Sequence, residues 1–379
     1  MKLSFSARVA CIFMYMCRVI PIKKNKIVFS SFFGTKYNDS PRQISEKLSK
    51  HNNIEQIWIL KKGIEHPHYI KIVTPESFSS LFHLATAKVW VDNSRKRTYI
   101  RKRKNQFYIQ TWHGGVGFKA VEGGAIETLS ERYIESAKND SRMANIFLSE
   151  CEWESEQYRK YYWYTGEIMK VGLPRSDKFF EDVEDVVNSV RNELKIHSNQ
   201  RIALYAPTFR KKGGIEAYDL DCQRLCKTLS YQFGGEWCVV IRLHPEVALK
   251  STLFEYNDTI INGTKYEDIN DIVISSDVLI SDYSSCIFDA LYIGKKVFLY
   301  ASDYDSYSNN DRHIVFSEDE IPIEFSKNND ELIERIKSFN ENEYETNRKR
   351  FIEKLGYYSD GHATEKVIDR RLMEMENDY

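Results

Sequence analysis

Proline is scarce in this chain, with eight in 379 residues, and no tract is rich in proline, glycine or serine. That excludes a fibrous or linker-dominated protein. No repeat of about 20–50 residues is visible, which removes solenoids and propellers. An excess of one charge is also missing: 54 Lys and Arg face 55 Asp and Glu, a net charge of −1. Such a balance argues against wholesale nucleic-acid binding. The seven cysteines include no C-x-x-C pair. Cys222 and Cys226 lie one helical turn apart, but no His or Cys pair nearby completes a zinc site, so the thiols read as reduced and the chain as cytosolic. There is no serine nucleophile elbow and no Walker loop. No apolar run reaches the roughly 20 residues needed to span a bilayer. The run at 9–17 is shorter, lies among Lys2, Arg8, Arg18, Lys23, Lys24 and Lys26, and has no small-residue cleavage site after it. It reads either as a helix resting on an anionic membrane surface or as a helix packed on the first domain; the basic rim favours the membrane.

What is present is ordinary globular chemistry: 42% apolar and 29% charged residues, in a chain long enough for two or three cores. Runs rich in β-branched and aromatic residues predict strands at 26–33, 57–60, 70–74, 88–91, 107–111, 145–149 and 168–171. Helical spacing falls between them at 42–50, 77–87, 125–141, 152–162 and 184–194, the first opened by Asp39-Ser40-Pro41 as cap and first turn. The same grammar returns with strands at 201–205, 237–243, 259–261, 275–281 and 296–300, followed by helical stretches at 328–339 and 347–375. Strands alternating with helices predict parallel sheets covered on both faces. The polar segment 195–200 marks the boundary between two α/β halves. The expected division is a membrane-surface segment (1–25), two Rossmann-like domains (26–180 and 195–345) and a helical tail (346–379).

In open α/β sheets ligands bind beyond the carboxyl ends of strands, and the informative polar residues sit there. After the strand at 107–111 comes His113, followed by Gly114, Gly115, Val116 and Gly117. A titratable side chain beside bare backbone N–H groups suits phosphate handling, although a glycine turn with an incidental histidine has the same sequence. Pro207, Thr208 and Arg210 follow the strand at 201–205. Arg242, Leu243 and His244 end the strand at 237–243, and alternation puts Arg242 and His244 on one side. Ser284 and Ser285 precede a helix that starts near 286 and carries Asp289, where hydroxyls and helix N–H groups suit a pyrophosphate. An ordinary capped helix and a structural ion pair at Arg242 are the plain alternatives. The run 95–104 carries only basic charge and reads as a polyanion-facing patch or a solvated loop. Asp303 and Asp305 form a D-x-D without another obvious ligand, so no metal site is assigned.

Five of these segments, Q-T-W-H-G (110–114), G-L-P-R-S-D (172–177), Y-A-P-T-F-R (205–210), R-L-H-P (242–245) and S-D-Y-S-S-C-I-F-D (281–289), occur in an order that resembles the CDP-glycerol glycerophosphotransferase family. The resemblance implies a GT-B-like fold of two Rossmann-like domains with an interdomain active-site cleft, peripheral on the cytoplasmic face of a bacterial membrane. It implies transfer of an alditol phosphate from CDP-glycerol or CDP-ribitol to a hydroxyl of a lipid-linked teichoic-acid or capsular acceptor, with release of CMP and with no cofactor beyond the co-substrate. His113 would be the general base. His244 and Arg242 would hold donor phosphate, and Ser284, Ser285 and Asp289 would bind the CDP portion. Pro207 and Thr208 would line the nucleotide site, and Arg175 would reach the cleft. The chain departs from the family where H-G-T-P-L-K is usual, reading H-G-G-V-G-F-K, and Asp311-Arg312-His313-Ile314-Val315 replaces an arginine-glycine-aromatic motif. The first change predicts a more flexible turn at 115–117. A UDP-sugar glycosyltransferase or epimerase on the same fold, and an inactive membrane-surface scaffold, are the rival readings.

Overall fold

Short runs of Val, Ile, Phe and Trp become parallel strands because both of their faces are buried, leaving no polar side to present to water. In the computed structural model, which describes residues 4–51, 53–210, 218–244, 247, 254–304, 315–316 and 320–376, these strands form two sheets. The first contains β1 (Lys23–Ser30), β2 (Glu55–Ile59), β3 (Lys71–Val73), β4 (Ala87–Asp92), β5 (Phe107–Gln110), β6 (Ile146–Ser149) and β7 (Glu167–Lys170), in the order β3-β2-β1-β4-β5-β6-β7. The second contains β8 (Gln200–Ala206), β9 (Glu236–Ile241), β10 (Ile260–Asn262), β11 (Val278–Ser281), β12 (Lys296–Tyr300) and β13 (Phe325–Ser326), in the order β10-β9-β8-β11-β12-β13. Every neighbouring pair is parallel. Each order reverses once, between β1 and β4 and between β8 and β11.

The chain divides into two compact units: Met1–Gly115, Val121–Glu181 and Gly356–Tyr379 form one, and Val116–Ala120 with Asp182–Leu355 form the other. The first unit carries α1 (Phe5–Met16), α2 (Asp39–Leu48), α3 (Phe78–Thr86), α4 (Glu131–Met143) and α5 (Glu152–Tyr161). The second carries α6 (Glu184–Leu194), α7 (Cys222–Phe233), α8 (Ile269–Ser275), α9 (Cys286–Tyr292), α10 (Asn329–Lys337) and α11 (Glu341–Leu355); α12 (Ala363–Glu376) returns to the first. Alternation along the strands sends Val28, Ile57, Ile59, Trp90 and Tyr108 to one face of the first sheet, under Met14 of α1 and Leu81 and Leu84 of α3. Ile27, Phe29, Trp58, Val89 and Val91 go to the other, under Ile44 and Leu48 of α2 and Val367 and Ile368 of α12.

Several expectations change. The tail is not a separate layer: Gly356 takes a φ of +66° after α11, and α12 then packs on α2. The turn at 195–200 lies inside the second unit, which starts at Asp182. The helix expected over 125–141 is a 3-10 segment (Glu122–Thr128) followed by α4, whose start Ser130 caps by accepting from the Tyr133 N–H at 3.2 Å. Asn38, not Asp39, caps α2. The basic run at 95–104 is largely structural. Arg95 and Lys96 are buried, Arg95 paired to Glu122 and Asp140 and Lys96 to Asp92. Arg101, Lys102 and Arg103 donate to backbone carbonyls.

Helix α1 packs on the first unit through Met14. Met14 and Cys17 enter the core while Phe5, Ile12, Met16 and Val19 are 84, 60, 66 and 87% exposed. Among the described residues no helix is long and apolar enough to cross a membrane.

Candidate functional site

At the carboxyl end of the first sheet the order reverses beside Asn93, one residue past β4. Its Oδ1 accepts from the Phe32 N–H at 2.8 Å and its Nδ2 donates to Ser31 Oγ at 3.1 Å, tying the ends of β1 and β4. Its carbonyl oxygen lies 2.6 Å from His113 Nδ1. A carbonyl can only accept, so Nδ1 carries the proton and Nε2 presents the lone pair of the neutral ring. Trp112 tilts against the imidazole at 4.6 Å between ring centroids, and Phe32 meets it edge-on at 5.6 Å. His113 is exposed.

The backbone strain here sits on residues other than the glycines. Phe32, Phe33, Asp39 and Trp112 take φ of 45, 56, 67 and 56°, a region costing non-glycine residues about 1–3 kcal/mol each and concentrated at functional sites. Gly114, Gly115 and Gly117 are not in that region. Nothing lies within 4 Å of a Cβ built on Gly114, but one on Gly115 would stand 2.0 Å from Glu150 Oε2 and 3.7 Å from the Arg175 guanidinium. Arg175 is 8% exposed, and its guanidinium lies 3.8 Å from Glu150. Thus Arg175 does stand beside the histidine turn. Burial pushes the Asp39 carboxyl upward, with the Arg175 charge opposing that rise. Behind Glu150, burial and the Glu150 charge push Glu154 up to about 8. Val116 and Phe118 are each 1% exposed in the second unit, where Phe118 packs on Phe288 and Phe325.

The second sheet reverses beside Asp282, one residue past β11. Its carboxylate accepts from the Thr208 N–H at 2.9 and 3.0 Å and pairs with Arg210 at 2.8 Å. Arg210 also makes a two-point contact with Asp303 and donates to Thr208 Oγ1 at 2.6 Å. Arg210 therefore braces the Pro207–Thr208 turn from inside. Arg242 differs. Its Nη2 donates to the carbonyls of Tyr266 (3.1 Å) and Glu267 (3.2 Å), its Nε is buried without a hydrogen-bond partner, and among the described residues no carboxylate pairs with it. Burial holds its pKa below the usual arginine range. Leu243 is fully buried, while His244 is exposed against Phe209 at 5.6 Å, so the expected alternation holds. Pro245 lies outside the described residues.

Ser285 occupies the N-cap position of α9 without a side-chain cap bond, while Ser284 Oγ is 3.4 Å from the Cys286 N–H. Asp289 is 5% exposed and turned into the unit. A Cβ on Gly117 would stand 4.0 Å from Ser285 Cβ. Asp303 is held by Arg210, and Asp305 and residues 311–314 lie outside the described residues. Among the described residues no three His, Cys, Asp or Glu side chains group as metal ligands. Sequence reasoning missed Asn93, Glu150 and Asp282. Asp282 had a signal, since it lies in the S-D-Y-S-S segment one residue past a strand, like Asn93.

Two parallel sheets, each reversing once, with polar side chains gathered beyond their carboxyl ends, define the Rossmann-like, GT-B-like class. The chain belongs to the CDP-glycerol:poly(glycerophosphate) glycerophosphotransferase family, whose profile matches residues 12–372, and is a phosphotransferase of that kind. It is 28% identical over 359 residues to the teichoic acid glycerol-phosphate transferase of Staphylococcus aureus, covering 91% of this chain and 92% of that one. It is 25% identical to the teichoic acid ribitol-phosphate primase of Bacillus spizizenii, covering 93% and 92%. The Bacillus subtilis teichoic acid poly(glycerol phosphate) polymerase is 28% identical, and the chain spans about half of its length (49%). In fold it matches the wall teichoic acid polymerase TagF with a TM-score of 0.84 at 24% identity, over 98% of this chain and 95% of that one.

Proposed function

We propose that this enzyme transfers glycerol phosphate from CDP-glycerol to a hydroxyl of a membrane-linked teichoic-acid or capsular acceptor, releasing CMP. The observation that carries the proposal is the Nδ1 bond of His113 to the Asn93 carbonyl, which leaves Nε2 as the base. In this reaction Nε2 takes the acceptor hydroxyl proton as its oxygen attacks the β-phosphorus. The new P–O bond forms, the bond to the bridging oxygen breaks, and CMP leaves with that oxygen. Arg242 and His244 offset charge on the donor phosphates, a role supported by a half-buried guanidinium that makes no carboxylate pair among the described residues. Thr208, Ser284 and Ser285 contact the CDP portion, while Arg210 acts through Thr208 and the buried Asp289 is not assigned a contact. Glycerol is favoured over ribitol because the matching family model is a CDP-glycerol:poly(glycerophosphate) one and the glycerol-phosphate transferase is 28% identical against 25% for the ribitol-phosphate primase. A peripheral position on the cytoplasmic membrane face is supported by the second apolar face of α1.

Product analysis with labelled CDP-glycerol, CDP-ribitol and UDP-sugars tests the reaction. CMP from CDP-glycerol is expected; UDP from a UDP-sugar overturns it, a rival kept in view by a weaker fold match (TM-score 0.54) to a UDP-GlcNAc 2-epimerase. Vesicle flotation tests the location. Ile12→Glu with Met16→Glu should abolish binding to anionic vesicles, and unchanged binding would reject the α1 surface.

A further inference from the structure

We infer that Glu150 is a positioning residue for this reaction, and that it is the reason glycine stands at position 115. The inference rests on His113 acting as the base. Glu150 follows β6, and its side chain is 2% exposed. One carboxylate meets two other chain segments. Oε1 accepts from Ser176 Oγ at 2.8 Å. Oε2 lies 3.8 Å from the Arg175 guanidinium and occupies the space beside Gly115 where a Cβ would need to be, 2.0 Å away. The Glu150 backbone N–H is itself held by Glu154 Oε2 at 2.6 Å.

Gly115 has an ordinary φ, so backbone conformation does not require glycine there. Gly114, with nothing within 4 Å, is not required by space either. Of the turn glycines Gly114, Gly115 and Gly117, only Gly115 has a neighbour that forbids a side chain. The forbidding atom is the end of a flexible side chain, which could swing away on an open surface. Here it is enclosed and tied to Ser176 and Arg175, so a side chain at 115 displaces those residues and the His113 turn with them. The turn is thereby crowded at position 115.

The test is a set of four variants assayed for CMP release from CDP-glycerol: Gly115→Ala, Glu150→Ala, Gly115→Ala with Glu150→Ala, and Gly115→Ala with Glu150→Asp. Gly115→Ala should lower kcat about 100-fold with KM for CDP-glycerol within about threefold, because the base is displaced rather than the donor site. Withdrawing the carboxylate by one methylene, in Gly115→Ala with Glu150→Asp, should restore at least tenfold of the lost kcat. Gly115→Ala with Glu150→Ala should not recover, since relief of crowding alone removes the carboxylate that Ser176 and Arg175 meet. Equal rescue by alanine and aspartate reduces Glu150 to packing and overturns the inference, as does a Gly115→Ala enzyme within threefold of the parent. If the parent chain is inert with every CDP-alditol, the proposed reaction fails instead. The His113 ring resonances then decide this inference: they should shift in Gly115→Ala and return with Glu150→Asp. Resonances unmoved by Gly115→Ala would overturn it.

Discussion

After β4 the first unit places Asn93, and after β11 the second places Asp282. Each stands one residue past the last strand-paired position, and each accepts from the backbone N–H two residues past the neighbouring strand, Phe32 at 2.8 Å and Thr208 at 2.9 Å. The same topological break thus has the same backbone solution, made by a neutral amide in one unit and a carboxylate in the other. The carboxylate is buried, and a buried charge needs a partner, so Arg210 turns inward to meet it. That cation is committed to the fold, whereas Arg242, one residue past β9, makes no carboxylate pair among the described residues and donates only to carbonyls. The amide needs no counter-charge. Its carbonyl is left to orient His113, whose other nitrogen keeps its lone pair. The difference teaches why one end reads as a base site and the other as an anion site.

Exchanging the two residues should break this comparison. Asn93→Asp puts an unpaired carboxylate at a fully buried position and should cost about 3–5 kcal/mol, the range for an uncompensated buried charge. Denaturant melts would show it as a lower midpoint at unchanged slope. Asp282→Asn keeps the acceptor for Thr208 and leaves Asp303 on Arg210, so the loss should be smaller, about 1.5–3 kcal/mol. Arg242→Gln should weaken CDP-glycerol binding at least about tenfold, or about 1.4 kcal/mol, read by calorimetry, with little change in melting. The remaining effect is a pH slope. Glu154 is held near 8 in the fold against about 4.3 when unfolded. The native state therefore keeps a proton that the unfolded chain loses, and stability should fall as pH rises from about 5 to 8. A single group sets a limit of about 1.4 kcal/mol per pH unit, and Glu154→Gln should flatten the melting profile across that window.

Much of this architecture was legible in the sequence, since a parallel strand buried on both faces shows as a continuous apolar run, and its carboxyl end shows where side chains turn polar. The strand at 296–300 and the helix at 184–194 keep their expected bounds for that reason. What could not be read depends on partners far along the chain. Arg95 looked like part of a surface patch because Glu122 and Asp140, which bury it, lie 27 and 45 residues away. Arg210 resembled a phosphate ligand because Asp303 is 93 residues distant. The glycine at 115 suggested mobility, and only the approach of Glu150 shows it as a tight fit.

The central claim is that His113 does chemistry while Arg242 holds the donor. Calorimetric binding of CDP-glycerol, paired with single-turnover CMP release on the same proteins, tests it most directly. His113→Ala should bind CDP-glycerol within about threefold of the parent yet release CMP about 10²–10⁴ times more slowly, the range for loss of a general base. Arg242→Gln should lose binding. If His113→Ala releases CMP within a few-fold of the parent, or if both variants lose binding alike, the division of labour is wrong.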